Sequence, residues 1–295
     1  MTSELRRDPL SGRTVVIAPG RARRPGAVRP RIETPTQEEL DTCPFCAGRE
    51  HMTPPETLRL PEHGAGGWQV RVVPNLYPAF ERQEVAIHSP RHVRSFAELG
   101  DGEVELVAEA WRVRARAARD EGFPYVHAAI NEGRLAGASL AHSHSQLVWL
   151  RDEPPAVIQE GDAEAAVCEM LKQIQHQSGP AEFEVQRARD VLAFCPPAGR
   201  VPYEVLITNP GAKEGDAYES EGLRLGLIVL RDVVRRLRAV EGPVPWNAWV
   251  HAGNHLHIEL VPRLTVFAGV ELGAGIYVNT LAPEEAAARL RNAPT

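Results

Sequence analysis

The stretch His142-Ser143-His144-Ser145-Gln146 is the most informative part of the 295-residue chain, because it lies within an otherwise apolar run. In a β-strand alternate side chains share one face, so its two histidines and the glutamine would follow one another at about 6 to 7 Å. A neutral imidazole can act as a nucleophile, a base or a metal ligand, whereas a carboxamide can only donate and accept hydrogen bonds. The stretch therefore predicts a catalytic strand, with two surface histidines or a simple metal clip as the alternative.

A second copy of this pattern occurs later, at His255-Leu256-His257-Ile258-Glu259. Each copy is preceded by the same series: a short β-like run closed by proline (EVAIHSP at 84–90, EVLITNP at 204–210), an amphipathic helix pattern, and a β-rich segment. The apolar stripes of the two helices are Val104, Val107, Ala108, Trp111, Ala115 and Ala118 in the first, and Leu223, Leu227, Leu230, Val234 and Leu237 in the second.

This repeat predicts an α+β fold of two tandem modules, each a mostly antiparallel sheet with a long helix packed on it. We expect an N-terminal module over residues 1–152, a degenerate C-terminal module over residues 153–295, and a Pro- and acid-rich join at 152–164. Further strands are expected at residues 14–18, 68–73, 191–194 and 256–261. A closing helix is expected at 283–291, since acidic residues occupy its first turn and arginines its end.

Composition argues against several classes of protein. The net charge of −6 argues against a nonspecific nucleic-acid partner and against binding to a membrane surface. Lys172 and Lys213 are the only lysines, and neither ends a Gly-rich loop with Ser or Thr, which excludes a P-loop. The N-terminus is charged and no segment approaches the roughly 20 apolar residues of a membrane span, so we expect a cytoplasmic protein.

Two of the four cysteines form Cys43-Pro44-Phe45-Cys46, half of a tetrahedral zinc site. A redox pair is the alternative, although the context lacks a thioredoxin-like βαβ pattern. Eleven histidines could complete the site, and His51 is nearest in sequence. If His142 is a ligand, the zinc would be structural and would brace the strand that carries His144.

Two other segments could bind phosphate. Residues 131–140 (NEGRLAGASL) combine glycines, an amide and a hydroxyl directly before the histidines, where backbone N–H groups could approach an anion closely. Arg21, Arg23 and Arg24 follow an expected strand, and guanidinium groups suit bidentate phosphate contacts. A plain turn and a solvated loop are the alternatives.

Taken together, these motifs resemble the galactose-1-phosphate uridylyltransferase family of the histidine-triad superfamily, along essentially the whole chain. The resemblance extends from Arg6-Arg7-Asp8-Pro9-Leu10-Ser11-Gly12 through residues 19–25, Cys43-Pro44-Phe45-Cys46, Val73-Pro74-Asn75, Ser89-Pro90-Arg91-His92 and residues 131–146. It continues through Pro202-Tyr203-Glu204, His255-Leu256-His257 and Gly269-Val270-Glu271 to the closing helix.

The resemblance implies two histidine-triad-like modules and a ping-pong nucleotidyl transfer between a nucleotide sugar and a hexose 1-phosphate. It implies His144 as the nucleophile that becomes nucleotidylated, and Gln146 as its hydrogen-bonding partner at the phosphoryl group. A structural zinc would be held by Cys43, Cys46, His92 and His142. Substrate contacts would come from Arg21, Arg24, Asn75, Asn131 and Ser139, with the arginine loop supplied by the other subunit of a homodimer.

Departures from the family pattern leave the substrate open. The common motif is His-Pro-His-Gly-Gln, whereas this chain has Ser143 and Ser145. Leu76 stands where an Asp is frequent, and Tyr277 stands in place of a sugar-contacting Gln. The first expectation is a UDP-glucose–hexose-1-phosphate (galactose-1-phosphate) uridylyltransferase, and the alternative is an adenylyltransferase resembling ADP-glucose phosphorylase.

Other readings are a zinc-stabilised nucleotide-binding protein without turnover and a nucleotide hydrolase. Gln146 argues against hydrolysis, because related hydrolases carry at this position a histidine that can move protons. A second metal site, present in some members, would use His251, His255 and His257 with a carboxylate from residues 152–164 whose position the sequence does not fix.

Overall fold

The computed structural model describes residues 3–23, 32, 34–62, 67–161, 165, 171, 182–209, 217–253 and 256–295. Its strands are β1 (Glu4–Arg7), β2 (Thr14–Ile17), β3 (Leu58–Leu60), β4 (Val70–Pro74), β5 (Arg82–Ile87), β6 (Tyr125–Glu132), β7 (His144–Leu150), β8 (Glu184–Ala188), β9 (Val191–Phe194), β10 (Val205–Thr208), β11 (Trp246–Ala252), β12 (Leu256–Pro262) and β13 (Ile276–Asn279). Its α-helices are α1 (Gln37–Thr42), α2 (Asp101–Asp120), α3 (Pro155–Gly161), α4 (Glu221–Glu241), α5 (Gly269–Ala274) and α6 (Pro283–Arg291).

A ten-stranded antiparallel sheet in the order β3-β4-β5-β7-β6-β11-β12-β10-β9-β8 organises the molecule. The order is symmetrical about the β6–β11 pair, so that each strand of the first half has a counterpart in the second. The histidine strand β7 corresponds to β12, and β5 corresponds to β10. The α+β fold with two histidine-triad-like halves is therefore confirmed, and the two halves share one continuous sheet.

Helices α2 and α4 cover one face of this sheet and contact each other. All the residues of the two predicted apolar stripes are buried. Helix α4 begins after Ser220, whose hydroxyl accepts a hydrogen bond from Leu223 N–H at 3.1 Å. Ser145 points to the helices, since its Oγ accepts a hydrogen bond from Trp111 Nε1 at 2.9 Å. Side chains alternate along a strand, so His144 and Gln146 point to the opposite face of the sheet.

Strands β1, β2 and β13 form a separate small sheet, in which β13 runs parallel to β2. The closing helix α6 has the predicted bounds and buries Ala286, Ala287 and Leu290. The predicted strands also form, with shifts of one or two residues at their ends. Among the described residues, no helix is long and apolar enough to span a membrane.

Part of the join predicted at 152–164 is helix α3, which buries Val157 and Glu160. Proline at its first position and a short apolar sequence start this helix, and its packing places Glu160 next to β11. The division at residues 152 and 153 stays a prediction.

Buried Glu132, at the end of β6, makes stability depend on pH. Burial raises its pKa to about 7, although Phe96 N–H donates a hydrogen bond to its carboxylate at 3.0 Å. The folded state holds this proton more tightly than the unfolded chain, so the free energy of unfolding falls as pH rises from 5 to 8, by about 2 kcal/mol.

Glu132→Gln is expected to remove this fall, because the amide does not titrate and still offers an acceptor to Phe96 N–H. Urea unfolding at pH 5 and pH 8 measures it, with exposed Glu38→Gln as the control. An unchanged pH dependence in Glu132→Gln would contradict the assignment.

Candidate functional site

His144 opens strand β7 and is buried. Its Nδ1 lies 2.7 Å from the carbonyl oxygen of His142. Because a carbonyl can only accept, Nδ1 carries the proton and Nε2 keeps its lone pair. Burial lowers the pKa of His144, which favours the neutral ring. The structure thus presents His144 in the protonation state and tautomer that a nitrogen nucleophile requires.

The strand register brings the predicted catalytic and substrate residues of the sheet together. Gln146 pairs with Ala129 on one side and with Val85 on the other. Strands β6 and β7 pair as far as Ile130 and Ser145, which makes Asn131 and His144 the next residues opposite each other. His144, Gln146 and Asn131 therefore share one face, which we call the site face.

Asn75 directly follows β4, is half-buried, and accepts a hydrogen bond from Tyr77 N–H through Oδ1 at 2.9 Å. Ser139 is exposed in the connection that leads to His142. This connection turns tightly: Gly133 has φ of +85°, and a Cβ there would lie 3.0 Å from Pro245 Cβ. Glycine is required at this position both by backbone conformation and by the close approach of Pro245.

Arg21 and Arg24 were expected to contact phosphate, and Arg21 is not part of the site face. Arg21 is exposed in a 3₁₀ turn, Pro19–Arg23, that follows β2 of the small sheet. No contact joins it to His144 within the described ranges. Arg24 lies outside the described residues, so its predicted phosphate contact stays a prediction.

Cys43, Cys46, His92 and His142 converge in a cluster that could hold a metal ion. Cys43 Sγ lies 3.4 Å and Cys46 Sγ 3.7 Å from His142 Nδ1, and Cys46 Sγ lies 3.3 Å from His92 Nδ1. Tetrahedral zinc with bonds of about 2.0 to 2.3 Å separates its ligand atoms by about 3.3 to 3.8 Å. The donor atoms thus have the types and spacing of a zinc site, whereas exposed His51 is not part of the cluster.

Surrounding groups hold the two histidine ligands in the orientation that metal binding needs. His142 Nε2 lies 2.9 Å from Ser89 O, and His92 Nε2 lies 2.9 Å from Glu39 Oε1. Each ring therefore donates through Nε2 and turns the lone pair of Nδ1 toward the cysteines, a common arrangement around protein metals. Burial lowers the pKa of His142 to about 4, so it is neutral at physiological pH.

A second cluster that could hold a metal ion consists of Glu160, His251, His257 and Glu259, all buried. Glu160 Oε2 lies 2.7 Å from His251 Nδ1 and 3.6 Å from His257 Nε2. Although burial opposes it, the Arg200 guanidinium holds the pKa of Glu259 well below its usual range. Glu160 lies within residues 152–164, the region from which a carboxylate was expected, and His255 lies outside the described residues.

The two serines that depart from the common motif have structural partners. Ser143 Oγ lies 2.9 Å from Nδ1 of buried His88, and Ser145 accepts the bond from Trp111. Both hydroxyls therefore tie the histidine strand to its surroundings without entering the site face. Sequence reasoning missed two further residues beside the site, Gln83 and Asn247, which hydrogen-bond to Gln146 and Asn131. Only the strand register could have revealed them.

Comparison with known proteins agrees with this geometry. Residues 78–155 match the family model of the galactose-1-phosphate uridyl transferase N-terminal domain. ADP-glucose phosphorylase of Arabidopsis thaliana is 27% identical over 98% of this chain and 92% of its own length. Galactose-1-phosphate uridylyltransferase of Thermotoga maritima is 25% identical over 98% of both chains.

Among solved structures, an ADP-glucose phosphorylase from Arabidopsis thaliana with bound ADP-glucose superimposes with a TM-score of 0.84 at 25% identity, covering 100% of this chain and 99% of that one. A uridylyltransferase gives a TM-score of 0.71 at 25% identity, with 98% of both chains covered.

Fold and site together define a histidine-triad-like nucleotidyltransferase. The chain is similar along nearly its whole length both to an ADP-glucose phosphorylase and to a galactose-1-phosphate uridylyltransferase.

Proposed function

We propose that this protein transfers a nucleotidyl group from a nucleoside diphosphate hexose to a phosphate-bearing acceptor, through a covalent intermediate on His144. The observation that carries the proposal is the bond from His144 Nδ1 to His142 O, because it leaves Nε2 as the attacking atom. Nε2 forms a bond to the α-phosphorus, and the bond from that phosphorus to the bridging oxygen breaks. Hexose 1-phosphate leaves with the electron pair.

The second half of the reaction reverses the first with a different acceptor. An oxygen of the acceptor attacks the same phosphorus, and the bond to Nε2 breaks and returns the lone pair to the ring. Inorganic phosphate as acceptor yields a nucleoside diphosphate, whereas a hexose 1-phosphate yields a new nucleotide sugar. Both acceptors are already anionic, so neither step needs a residue that transfers protons. A carboxamide such as that of Gln146 cannot transfer protons, and none is required here.

The donor we favour is ADP-glucose, with inorganic phosphate as acceptor. This choice is supported by the relative at 27% identity and by the TM-score of 0.84 to the ADP-glucose complex. Leu76 also supports this choice, because an Asp is frequent at this position in uridylyltransferases. UDP-glucose with galactose 1-phosphate is the second candidate, supported by the Thermotoga maritima relative, which aligns with nearly the whole chain.

Zinc is proposed at Cys43, Cys46, His92 and His142, where its role would be to hold the segment before β7 in place. A homodimer is proposed as well, because Arg21 lies in an exposed turn after β2 and, among the described residues, no hydrogen bond or ion pair joins it to His144. The arginine loop of the partner subunit would then supply positive charge to the nucleotide phosphates.

The function is tested by incubating the protein separately with ADP-glucose and UDP-glucose, each radiolabelled at the α-phosphate. We expect acid-labile, base-stable label on the protein with one donor, and its release on adding phosphate or hexose 1-phosphate. GDP-glucose serves as the comparison nucleotide. Sequential kinetics with no labelled protein from any donor would reject the covalent mechanism.

A further inference from the structure

A chain of hydrogen bonds behind Gln146 begins at a backbone amide. Ala79 N–H donates to Gln83 Oε1 at 2.9 Å, and Gln83 Nε2 donates to Gln146 Oε1 at 2.7 Å. A backbone N–H can only donate, so the oxygen of Gln83 must face it and the nitrogen of Gln83 must face Gln146. The oxygen of Gln146 is then occupied, and its NH₂ group is left for a ligand.

A second chain of the same kind lies on the other side of β7. Asn247 Nδ2 donates to Ala136 O at 2.7 Å and to Asn131 Oδ1 at 2.7 Å. A backbone carbonyl can only accept, so both hydrogens of the Asn247 amide are committed and Asn131 must turn its oxygen toward them. The NH₂ group of Asn131 is again left for a ligand.

The side-chain amide of Asn75 has the same orientation, since its oxygen accepts a hydrogen bond from Tyr77 N–H and its NH₂ group is left for a ligand. In the part of the chain that the structure describes, no protein group accepts a hydrogen bond from the NH₂ groups of Asn75, Asn131 or Gln146. The two orientations of a carboxamide have the same shape, so packing alone does not select one. Here the hydrogen-bond chains select the orientation that offers donors, which suits phosphate oxygens.

We propose that Gln83 and Asn247 are positioning residues for nucleotidyl transfer. They fix the amides of Gln146 and Asn131 so that N–H donors, and not carbonyl oxygens, face the phosphate oxygens of the nucleotide. The proposal rests on the proposed function of the same site. A reversed Gln146 would lose its donors and bring a partial negative charge toward the phosphoryl group, where charge shifts in the transition state.

Gln83→Glu and Gln83→Met test the proposal as a matched pair. The carboxylate of Gln83→Glu still accepts from Ala79 N–H but can only accept from Gln146, so it selects the reversed amide. Gln83→Met has similar size and selects neither orientation. In single-turnover labelling with the active nucleotide sugar, we expect a loss of about 100-fold for Gln83→Glu and of less than about 10-fold for Gln83→Met.

Each substitution is repeated in a Gln146→Ala background. If Gln83 acts through Gln146, adding Gln83→Glu to this background should change the labelling rate by less than about 2-fold. Asn247→Asp, with and without Asn131→Ala, tests the second chain in the same way. Thermal unfolding shows whether each variant is folded.

Two results would overturn the proposal: Gln83→Glu no slower than Gln83→Met, or an undiminished loss in the Gln146→Ala background. If the wild-type protein takes label, either result rejects the positioning role alone. If the wild-type protein takes no label from any donor, the proposed function fails, and the positioning role fails with it.

Discussion

Replacing His144 with alanine is expected to abolish the labelled intermediate and to lower turnover by at least about 10⁴-fold. The side chain supplies the atom that bonds to phosphorus, so no substrate concentration compensates for its loss. Folding should survive, because among the described residues the ring hydrogen-bonds to the neighbouring His142 carbonyl and makes a T-shaped contact with Phe45. Radiolabelling with ADP-glucose and UDP-glucose measures the effect, and a thermal melt verifies the fold.

His51→Ala is the matched control, because it removes an exposed imidazole that lies outside the metal cluster. It should label as the wild type does. His144→Gly extends the test: added imidazole should enter the space left by the ring and restore part of the turnover. Label on His144→Gly in the absence of imidazole would show that a different group is the nucleophile.

The helices and the histidine strand could be predicted from the sequence because their signals are local. The stripe from Val104 to Ala118 has helical spacing, and all of its residues are buried in α2. The repeated order of elements also predicted the symmetry that relates β7 to β12. Such patterns reflect the periodicity of one helix or strand, and they do not require knowledge of its neighbours.

Contacts between strands could not be predicted, because they depend on register. Gln83 lies near Gln146 because β5 and β7 pair through Val85, and nothing local to Gln83 indicates this. Asn247 is opposite Asn131 through a pairing between the two halves. A carboxylate from residues 152–164 was expected at the second metal site, but nothing local to Glu160 distinguishes it from the other acidic residues of that stretch.

The metal ligands are an intermediate case. Cys43 and Cys46 are recognisable by their spacing, but the choice of His92 and His142 over His51 came from family resemblance. The structure brings these four side chains together, and it does so by joining three segments that are far apart in the chain. The cluster therefore closes long loops, which is the arrangement in which a bound ion contributes most to folding.

Cys43→Ser is expected to lose about one equivalent of zinc per chain and to lower the free energy of unfolding by about 3 kcal/mol or more. Serine is a much weaker zinc ligand than a thiolate, and the three remaining ligands would leave the site open to solvent. Elemental analysis of the purified protein gives the zinc content, and denaturant unfolding with and without a chelator gives the stability. The chelator should destabilise the wild type and have little effect on the variant.

Two controls separate this site from the rest of the molecule. Cys195→Ser replaces a buried cysteine outside both clusters and should keep the zinc. His257→Ala disrupts the second cluster. Any metal that the His257→Ala protein loses therefore comes from the second cluster and not from the cysteine site. A Cys43→Ser protein with unchanged zinc and full stability would show that the cysteine cluster is not the metal site.

Activity of Cys43→Ser distinguishes a structural metal from one that takes part in the reaction. His142 is one of the four proposed zinc ligands, and its carbonyl oxygen accepts the hydrogen bond from Nδ1 of His144. Loss of the ion should therefore disturb the nucleophile through the backbone. Lower temperature, which favours the folded site, should therefore restore much of the labelling by Cys43→Ser and none of that by His144→Ala. Labelling that stays absent in fully folded Cys43→Ser protein would assign the ion a direct part in the chemistry.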